Sequence, residues 1–298
     1  MDRSTEIALV RRALAHIDAR TTDADPAPTT VPTSTYAGGD ARHAREMDRI
    51  FKSVPMPIAH VSQLASPGDF ITHDATGAPL LVVRDDDGGI QAFLNVCRHR
   101  GTRVEDLPCG NKKAFVCPYH AWSYARDGKL LGIPHAHGFA GIDRRGLVPV
   151  PTSVAAGLVF VIPSSSAKPF DATEWLGPLA ADLEGLGTAS SFAHSDRRFT
   201  KECSWKLAID VFLETYHLKP THGKSIYPLF FDNIGLVDRV GPHLRNVFPK
   251  RSIRELANAP ETSFSLRKHA NILYHLFPST LVLVEPDHAA VVHIFPDG

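Results

Sequence analysis

Apolar residues recur at helical spacing near the start of the chain, where Ile7, Val10, Leu14 and Ile17 follow a Ser4 or Thr5 cap and predict an amphipathic helix over residues 4–19. The periodicity then lapses. Residues 21–39 are rich in Thr, Pro, Ala, Ser and Gly, which predicts a linker or a surface-hugging arm, and a second helix is expected over 40–52. From about residue 55 the chain becomes a series of short apolar runs punctuated by turns. Leu80-Leu-Val-Val-Arg84, Asp85-Asp-Asp-Gly-Gly89 and Ile90-Gln-Ala-Phe-Leu94 read as the strand, turn and strand of a hairpin. Asp127-Gly128 marks another tight turn, 157–162 a closing strand, and Pro163-Ser-Ser-Ser-Ala-Lys-Pro169 a boundary.

Beyond the boundary a helix is predicted over 171–186 despite Pro178, then an extended stretch over 192–203. A further helix carries Ser204 through His217 and is expected to end at Pro220, which cannot continue it. A short helical piece near Ile253 precedes three apolar runs, 270–277, 280–285 and 289–295, which predict an antiparallel meander. The pattern is that of an α+β chain in three parts. Residues 1–54 are helices and linker expected to pack on the last domain, 55–165 form an all-β domain, and 166–298 combine helices with an antiparallel sheet.

Composition narrows the class. With 298 residues and 43% apolar content the chain can fill two modest cores. Its 32 basic and 32 acidic residues leave no net field to attract nucleic acid or an anionic membrane. The first residues lack the unbroken apolar core of a signal peptide, and no run reaches the roughly 18 apolar residues of a membrane span. The four cysteines show no disulfide-framework spacing, so a reducing, cytoplasmic home is expected.

Two short segments carry candidate chemistry. Cys97-Arg98-His99-Arg100-Gly101 and Cys117-Pro118-Tyr119-His120-Ala121-Trp122 each offer one thiolate and one imidazole. A structural zinc usually groups its cysteines and its histidines, whereas a [2Fe–2S] centre of the Rieske kind puts two cysteines on one iron and two histidines on the other. The interleaved order fits the second; a zinc site, or four residues that never meet, is the alternative. In an extended loop Cys97 and His99 point the same way, and Pro118 bends the second loop so that Cys117 and His120 converge. Neutral imidazoles leave such a cluster less negative than four thiolates would, which lifts its potential by roughly 250 mV or more.

On one continuous helix Asp210, Glu214 and His217 sit at i, i+4 and i+7, on a single face. A break at Pro220 would let His222 return beside His217. Two imidazoles and a carboxylate on one metal, with positions left open, is the arrangement of non-haem Fe(II) oxygenases. With 16 histidines in the chain, a surface or capping role for either remains the alternative.

The run Cys117-Pro-Tyr-His-Ala-Trp-Ser-Tyr-Ala-Arg-Asp-Gly-Lys-Leu130 resembles the second cluster loop of Rieske-type non-haem iron oxygenases, the aromatic ring-hydroxylating dioxygenase family. Glu214-Thr-Tyr-His217-Leu-Lys-Pro-Thr-His222 matches the Asp/Glu-x-x-His-x-x-x-x-His motif of their catalytic (alpha) subunits. The resemblance spans about 55–298. It implies a Rieske [2Fe–2S] domain on Cys97, His99, Cys117 and His120, followed by a helix-grip catalytic domain with a mononuclear Fe(II) on His217 and His222. It also implies that Glu214 bridges electron transfer to a cluster histidine of a neighbouring subunit, in a homotrimer or higher oligomer with or without small partner subunits. Asp210 stands where many relatives have Asn, and is a candidate to act behind the ligands or simply to be a buried acid in the helix packing. The family's third iron ligand, a carboxylate on a later helix, is not present in the chain as given, which ends at Phe295-Pro-Asp-Gly298 and reads as truncated at its C-terminus.

The activity implied is hydroxylation of an organic, aromatic substrate by O₂, with NAD(P)H electrons arriving through a separate flavin reductase and, in some systems, a ferredoxin. The chain has no Gly-rich dinucleotide fingerprint of its own. Apolar pocket candidates are Phe212, Tyr227, Phe230, Phe231 and Leu273, equally readable as plain core. Three other readings stay open: a Rieske monooxygenase or demethylase acting on a non-aromatic substrate, an electron-transfer protein with an appended domain, and a catalytically incompetent fragment.

Overall fold

A computed structural model describes residues 1–296 apart from 26, 28 and 38. Part of the arm expected over 21–39, and the last two residues of the turn expected at 295–298, therefore lie outside the described residues. The chain forms two compact units: one of residues 1–39, 176–186 and 200–296, the other of 40–175 and 187–199. The division differs from boundaries at 54/55 and 165/166, since residues 40–54, 166–175 and 187–199 group with the β unit.

The β unit is organised around the strand Leu80–Arg84. Leu80, Leu81, Val82 and Val83 are all fully buried, so this strand has no solvent face. Because side chains alternate along a strand, its two faces feed two cores. Leu81 and Val83 pack with Phe70, Phe93, Cys97, Cys117, Trp122 and Tyr124. Leu80 and Val82 pack with Ile71, Val159 and Val161. The strand is central in an antiparallel sheet of Cys109–Asn111, Asp69–His73, Leu80–Arg84, Ile90–Leu94 and Pro149–Val150. The hairpin register pairs Leu80 with Leu94 and Arg84 with Ile90, and Asp85 closes the turn by accepting from Gly89 N at 2.7 Å and Asp87 N at 3.1 Å. Two three-stranded sheets complete the unit: Met56–His60, Leu158–Val161 and Thr152–Ala155, and a small one of Phe115–Val116, Ser123–Tyr124 and Leu130–Gly132.

The other unit rests on a five-stranded antiparallel meander in chain order, Leu236–Val240, His243–Pro249, Ala270–Leu276, Thr280–Val284 and Ala289–His293. The last three match the apolar runs; the first two are less apolar, and their polar positions hid them. Helix Arg3–Ala19 packs through Leu9, Val10, Ala13 and Ile17. Its cap is Asp2, not Ser4 or Thr5, because the carboxylate accepts from Thr5 N at 2.8 Å. Charges bind this helix to the sheet: Arg12 and Arg245 both donate to Asp238, at 2.9 and 2.7 Å, and Arg245 also donates to Asp182 at 2.8 Å.

Two expected helices are interrupted. The run 171–186 splits into Ala172–Leu176 and Pro178–Gly185, with Gly177 at φ 55 and Pro178 starting the second piece, where its missing N–H has no intrahelical partner to lose. The second helix, Asp40–Glu46, widens into a π-turn over Met47–Phe51. Among the described residues no helix is long and apolar enough to cross a membrane.

Candidate metal centres

The two cysteine-histidine segments of the β unit are both closed turns, where the first was expected to be extended and the second to be bent by Pro118. Cys97 N donates to Thr102 O at 2.8 Å while Gly101 N donates back to Cys97 O at 3.0 Å, and the second segment repeats the pattern from Cys117 N to Trp122 O and from Ala121 N to Cys117 O. The fold-back brings all four candidate side chains together. Cys97 and Cys117 are buried with their side chains in hydrogen-bond contact, and the rings of His99 and His120 lie 4.6 Å apart. Trp122 stacks flat on His99 at 4.9 Å, and Tyr124 Oη stands 3.2 Å from Cys97 Sγ. Fully buried Asn95 fixes the return of the first loop, accepting from Val104 N and Glu105 N and donating to Glu105 O at 2.8 Å.

The donor set fits a two-iron cluster. Burial pushes the Cys117 thiol up, with Cys97 beside it, although the N–H groups of Tyr119 and His120 point at its sulfur and favour a thiolate. Only a cation makes two such sulfurs anionic side by side. Burial lowers the pKa of His99, which keeps the imidazole neutral, and its buried Nδ1 finds no hydrogen-bond partner among the described residues. An orphaned nitrogen of this kind is what a metal would satisfy. Two sulfurs and two imidazoles make two pairs in this pocket, and a two-iron cluster of the Rieske kind needs one pair for each iron.

In the other unit Asp210, Glu214 and His217 do not share one helix. The helix Trp205–Asp210 tightens at its end through Phe212 N to Ile209 O and Leu213 N to Asp210 O, and a separate helix, Leu218–His222, begins at His217. Between the two helices Glu214 Oε2 accepts from His217 N at 3.1 Å, a local side-chain-to-backbone bond that competes with a continuous helix. Pro220 does not end a helix; it occupies the first turn of the second, where backbone N–H groups are unpaired anyway. His217 and His222 nevertheless meet, with ring centroids 5.4 Å apart. Glu214 Oε1 lies 2.5 Å from His217 Nδ1, which fixes the tautomer and leaves Nε2 free for a metal.

Asp210 is exposed, contrary to a buried packing role, and accepts from the phenol of Tyr36. It lines a cleft of about 460 Å³ with Trp205, Leu213, His243, His275 and Phe277. None of the five apolar pocket candidates lines this cleft: Phe230 and Leu273 are core, Tyr227 and Phe231 lie under Arg251, and Phe212 is at the surface. His275 was not anticipated, and a lone histidine in an apolar strand gives no sequence signal. Tyr124 could have been found, because alternation along Ser123–Tyr124 puts it on the same side as Trp122.

The sequence of the β unit matches the Rieske [2Fe–2S] domain over residues 54–151, and residues 190–298 match the catalytic domain of ring-hydroxylating alpha subunits. The chain is 30% identical over 276 residues to the carnitine monooxygenase oxygenase subunit of Escherichia coli (strain K12), covering 90% of this chain and 71% of that one. The chain belongs to the Rieske oxygenase alpha-subunit family. It is also 33% identical over 204 residues to the chlorobenzene dioxygenase subunit alpha of Cupriavidus sp. (strain PS12), covering 66% of this chain but only 45% of that subunit. A solved quaternary ammonium Rieske monooxygenase, described as revealing carnitine oxidation and inter-subunit electron transfer, superposes with a TM-score of 0.74 at 26% identity over 86% of this chain and 69% of that one. As a member of the Rieske oxygenase family, the chain has one domain for a [2Fe–2S] cluster and one for a mononuclear iron.

Proposed function

We propose that the chain is the catalytic subunit of an oxygenase that uses O₂ to hydroxylate a small organic substrate. The observation that carries this reading is the presence in one polypeptide of the four-residue pocket of Cys97, His99, Cys117 and His120 and of the Glu214–His217–His222 group. The first four hold the [2Fe–2S] cluster, and His217 and His222 hold the iron. When bound, the two groups supply electron storage and O₂ activation. The chain's own part is to keep the ligands oriented: Trp122 stacks on His99, and Glu214 holds the proton of His217 on Nδ1. The carboxylate of Glu214 remains partly exposed, which suits a further bond to a cluster histidine of a neighbouring subunit in a trimer.

Electrons come from NAD(P)H through a separate flavin reductase, with or without a ferredoxin, in the cytoplasm. Aromatic rings are the substrate class named by the dioxygenase relative. A second reading, N-methylated cationic substrates, is favoured by the longer match to a carnitine monooxygenase and by the Asp210 carboxylate in a cleft with Trp205 and Phe277. Iron analysis with electron paramagnetic resonance tests the reading: two cluster irons with a histidine-type signal after reduction, and a separate mononuclear ferrous iron lost in His217→Ala alone. Material without the cluster signal refutes it. Oxygen uptake with a monocyclic arene and with a quaternary ammonium acid then separates the two substrate classes.

A further inference from the structure

The amino-terminal arm bonds to both walls of the cleft beside Asp210. One wall is the strand Leu236–Val240, which contributes Val237 and Arg239, and the other is the helix Trp205–Asp210, which contributes Trp205, Ile209 and Asp210. Helix Arg3–Ala19 ends at Arg20, whose backbone is left-handed at φ 55. Asp23 N then donates to Gly235 O at 3.1 Å, Thr22 Oγ1 donates to the same carbonyl at 2.9 Å, and Asp23 Oδ2 accepts from Val237 N at 2.8 Å. Arg12 and His16 hold that carboxylate as well, at 3.2 and 2.9 Å. This end of the arm is firmly fixed. Farther along, Asp25 meets Arg239 at 3.5 Å with both side chains largely exposed, and the phenol of Tyr36 donates to Asp210, which is itself exposed. An exposed ion pair and a single hydrogen bond open to water hold weakly.

We propose that the arm is a strap across the mouth of this cleft, hinged at Thr22 and Asp23 and latched by the Tyr36–Asp210 bond, and that substrate enters while the latch is open. The inference rests on the reading of the cleft as the substrate site. Opening breaks one hydrogen bond and one exposed ion pair and leaves the anchor at Gly235 and Val237 intact, so it is a local event and not unfolding. Entry is slowed in proportion to the open population, whereas turnover of substrate already bound is not. Protease attack on the arm follows the same population when opening and closing are fast beside cleavage. Tyr36 is the only aromatic residue in 21–39, so a chymotrypsin cut after it reports the open strap.

Tyr36→Phe removes the latch hydroxyl and keeps a ring after which chymotrypsin cuts. In cluster-loaded protein, cleavage after position 36 is followed by mass spectrometry, relative to the unfolded chain of the same variant, and compared with kcat/KM for oxygen uptake with a monocyclic arene and with a quaternary ammonium acid. Both quantities should rise about fivefold and by the same factor, the weight of one hydrogen bond open to water, with kcat unchanged. Asp25→Asn should move both in the same direction by a smaller factor. Faster cleavage with an unchanged kcat/KM overturns the gate, because the strap then opens without admitting substrate. Unchanged cleavage overturns the latch, and a higher kcat/KM for the quaternary ammonium acid alone would then belong to the charge of Asp210. A cluster-loaded wild type that takes up oxygen with neither substrate refutes the reading of the cleft itself, and the gate with it, before any variant is compared.

Discussion

Gly101 and Ala121 occupy the same place in two turns of the same hydrogen-bonded form, and both adopt left-handed backbone, at φ 75 and 57. Each is the residue whose N–H folds back on a cysteine carbonyl. Glycine adopts this conformation freely; alanine does so against the contact between its Cβ and the following carbonyl, at about 1 kcal/mol or somewhat more. Ala121→Gly is therefore expected to stabilise the second turn by about 1 kcal/mol, less the entropy that glycine regains in the unfolded chain. Gly101→Ala should cost a similar amount through backbone strain alone, since a Cβ there meets nothing within 4 Å. The denaturant midpoint for bleaching of cluster absorbance measures both. Shifts in the same direction would show that the two positions are not equivalent.

Glu214 makes a double contact with His217, at its backbone N–H and at Nδ1. Glu214→Gln keeps an oxygen to accept from Nδ1 and should leave both metals bound, while removal of the charge slows oxidation of the reduced cluster in a single turnover. Glu214→Ala frees the imidazole and should weaken mononuclear iron binding by roughly 10–100-fold, with the cluster spectrum unchanged. Iron titration followed at the ferrous site distinguishes these outcomes. Loss of the cluster signal in either variant would show that Glu214 serves the β unit instead.

What could be read from the chain alone follows from how local each signal is. The hairpin over 80–94 was legible because an apolar run, turn residues and a return strand all lie within fifteen consecutive positions, and the pairing of Leu80 with Leu94 follows from the turn between them. That the four cysteine and histidine side chains meet was legible, but the shape of their segments was not, because the left-handed backbone of Ala121 has no signature in an alanine. The helix through Asp210 to His217 was misread: the chain breaks between Asp210 and His217, where Glu214 bonds the His217 N–H, and only helical periodicity was visible in the sequence. The partnership of Asp210 with Tyr36 joins positions 174 residues apart, and no local pattern reports it.

Acid sensitivity should concentrate in the Arg12–Asp238–Arg245–Asp182 network. Burial alone would raise the pKa of Asp238, yet the bonds from Arg245 and Arg12 hold it below its usual value. A carboxyl depressed on folding contributes stability that is fully present above its unfolded pKa and is lost as the pH falls through the folded one. Asp238→Asn should cost about 1.5–3 kcal/mol at pH 7, the worth of a charge-assisted bond in a mostly buried setting. The gap from wild type should close as the pH drops below about 4, where the unfolded carboxyl takes up its proton. Unfolding followed by circular dichroism from pH 7 to pH 3 checks it. A gap that stays constant would mean that packing, not charge, is what the substitution removes.

The carboxylate of Asp210 should decide between the two substrate classes. It is exposed in the cleft beside Trp205 and Phe277, and the Tyr36 phenol bonded to it donates without neutralising it. A cation in that cleft would gain both the carboxylate and the aromatic faces, whereas an arene gains only the faces. Asp210→Asn keeps size and hydrogen bonding but removes the charge. For a cationic substrate KM should rise about tenfold, the equivalent of about 1.4 kcal/mol, with kcat changed far less. For a neutral arene both constants should stay within about twofold, the change expected from a neutral-for-charged exchange that the substrate does not touch. Tyr36→Phe leaves the charge in place while freeing it from its donor, so it should leave the KM for a cation unchanged or lower it. Asp210→Asn thus raises the cation's KM, while Tyr36→Phe does not, only if the charge of Asp210 faces the bound substrate, and an equal loss in both would assign the acid to holding Tyr36.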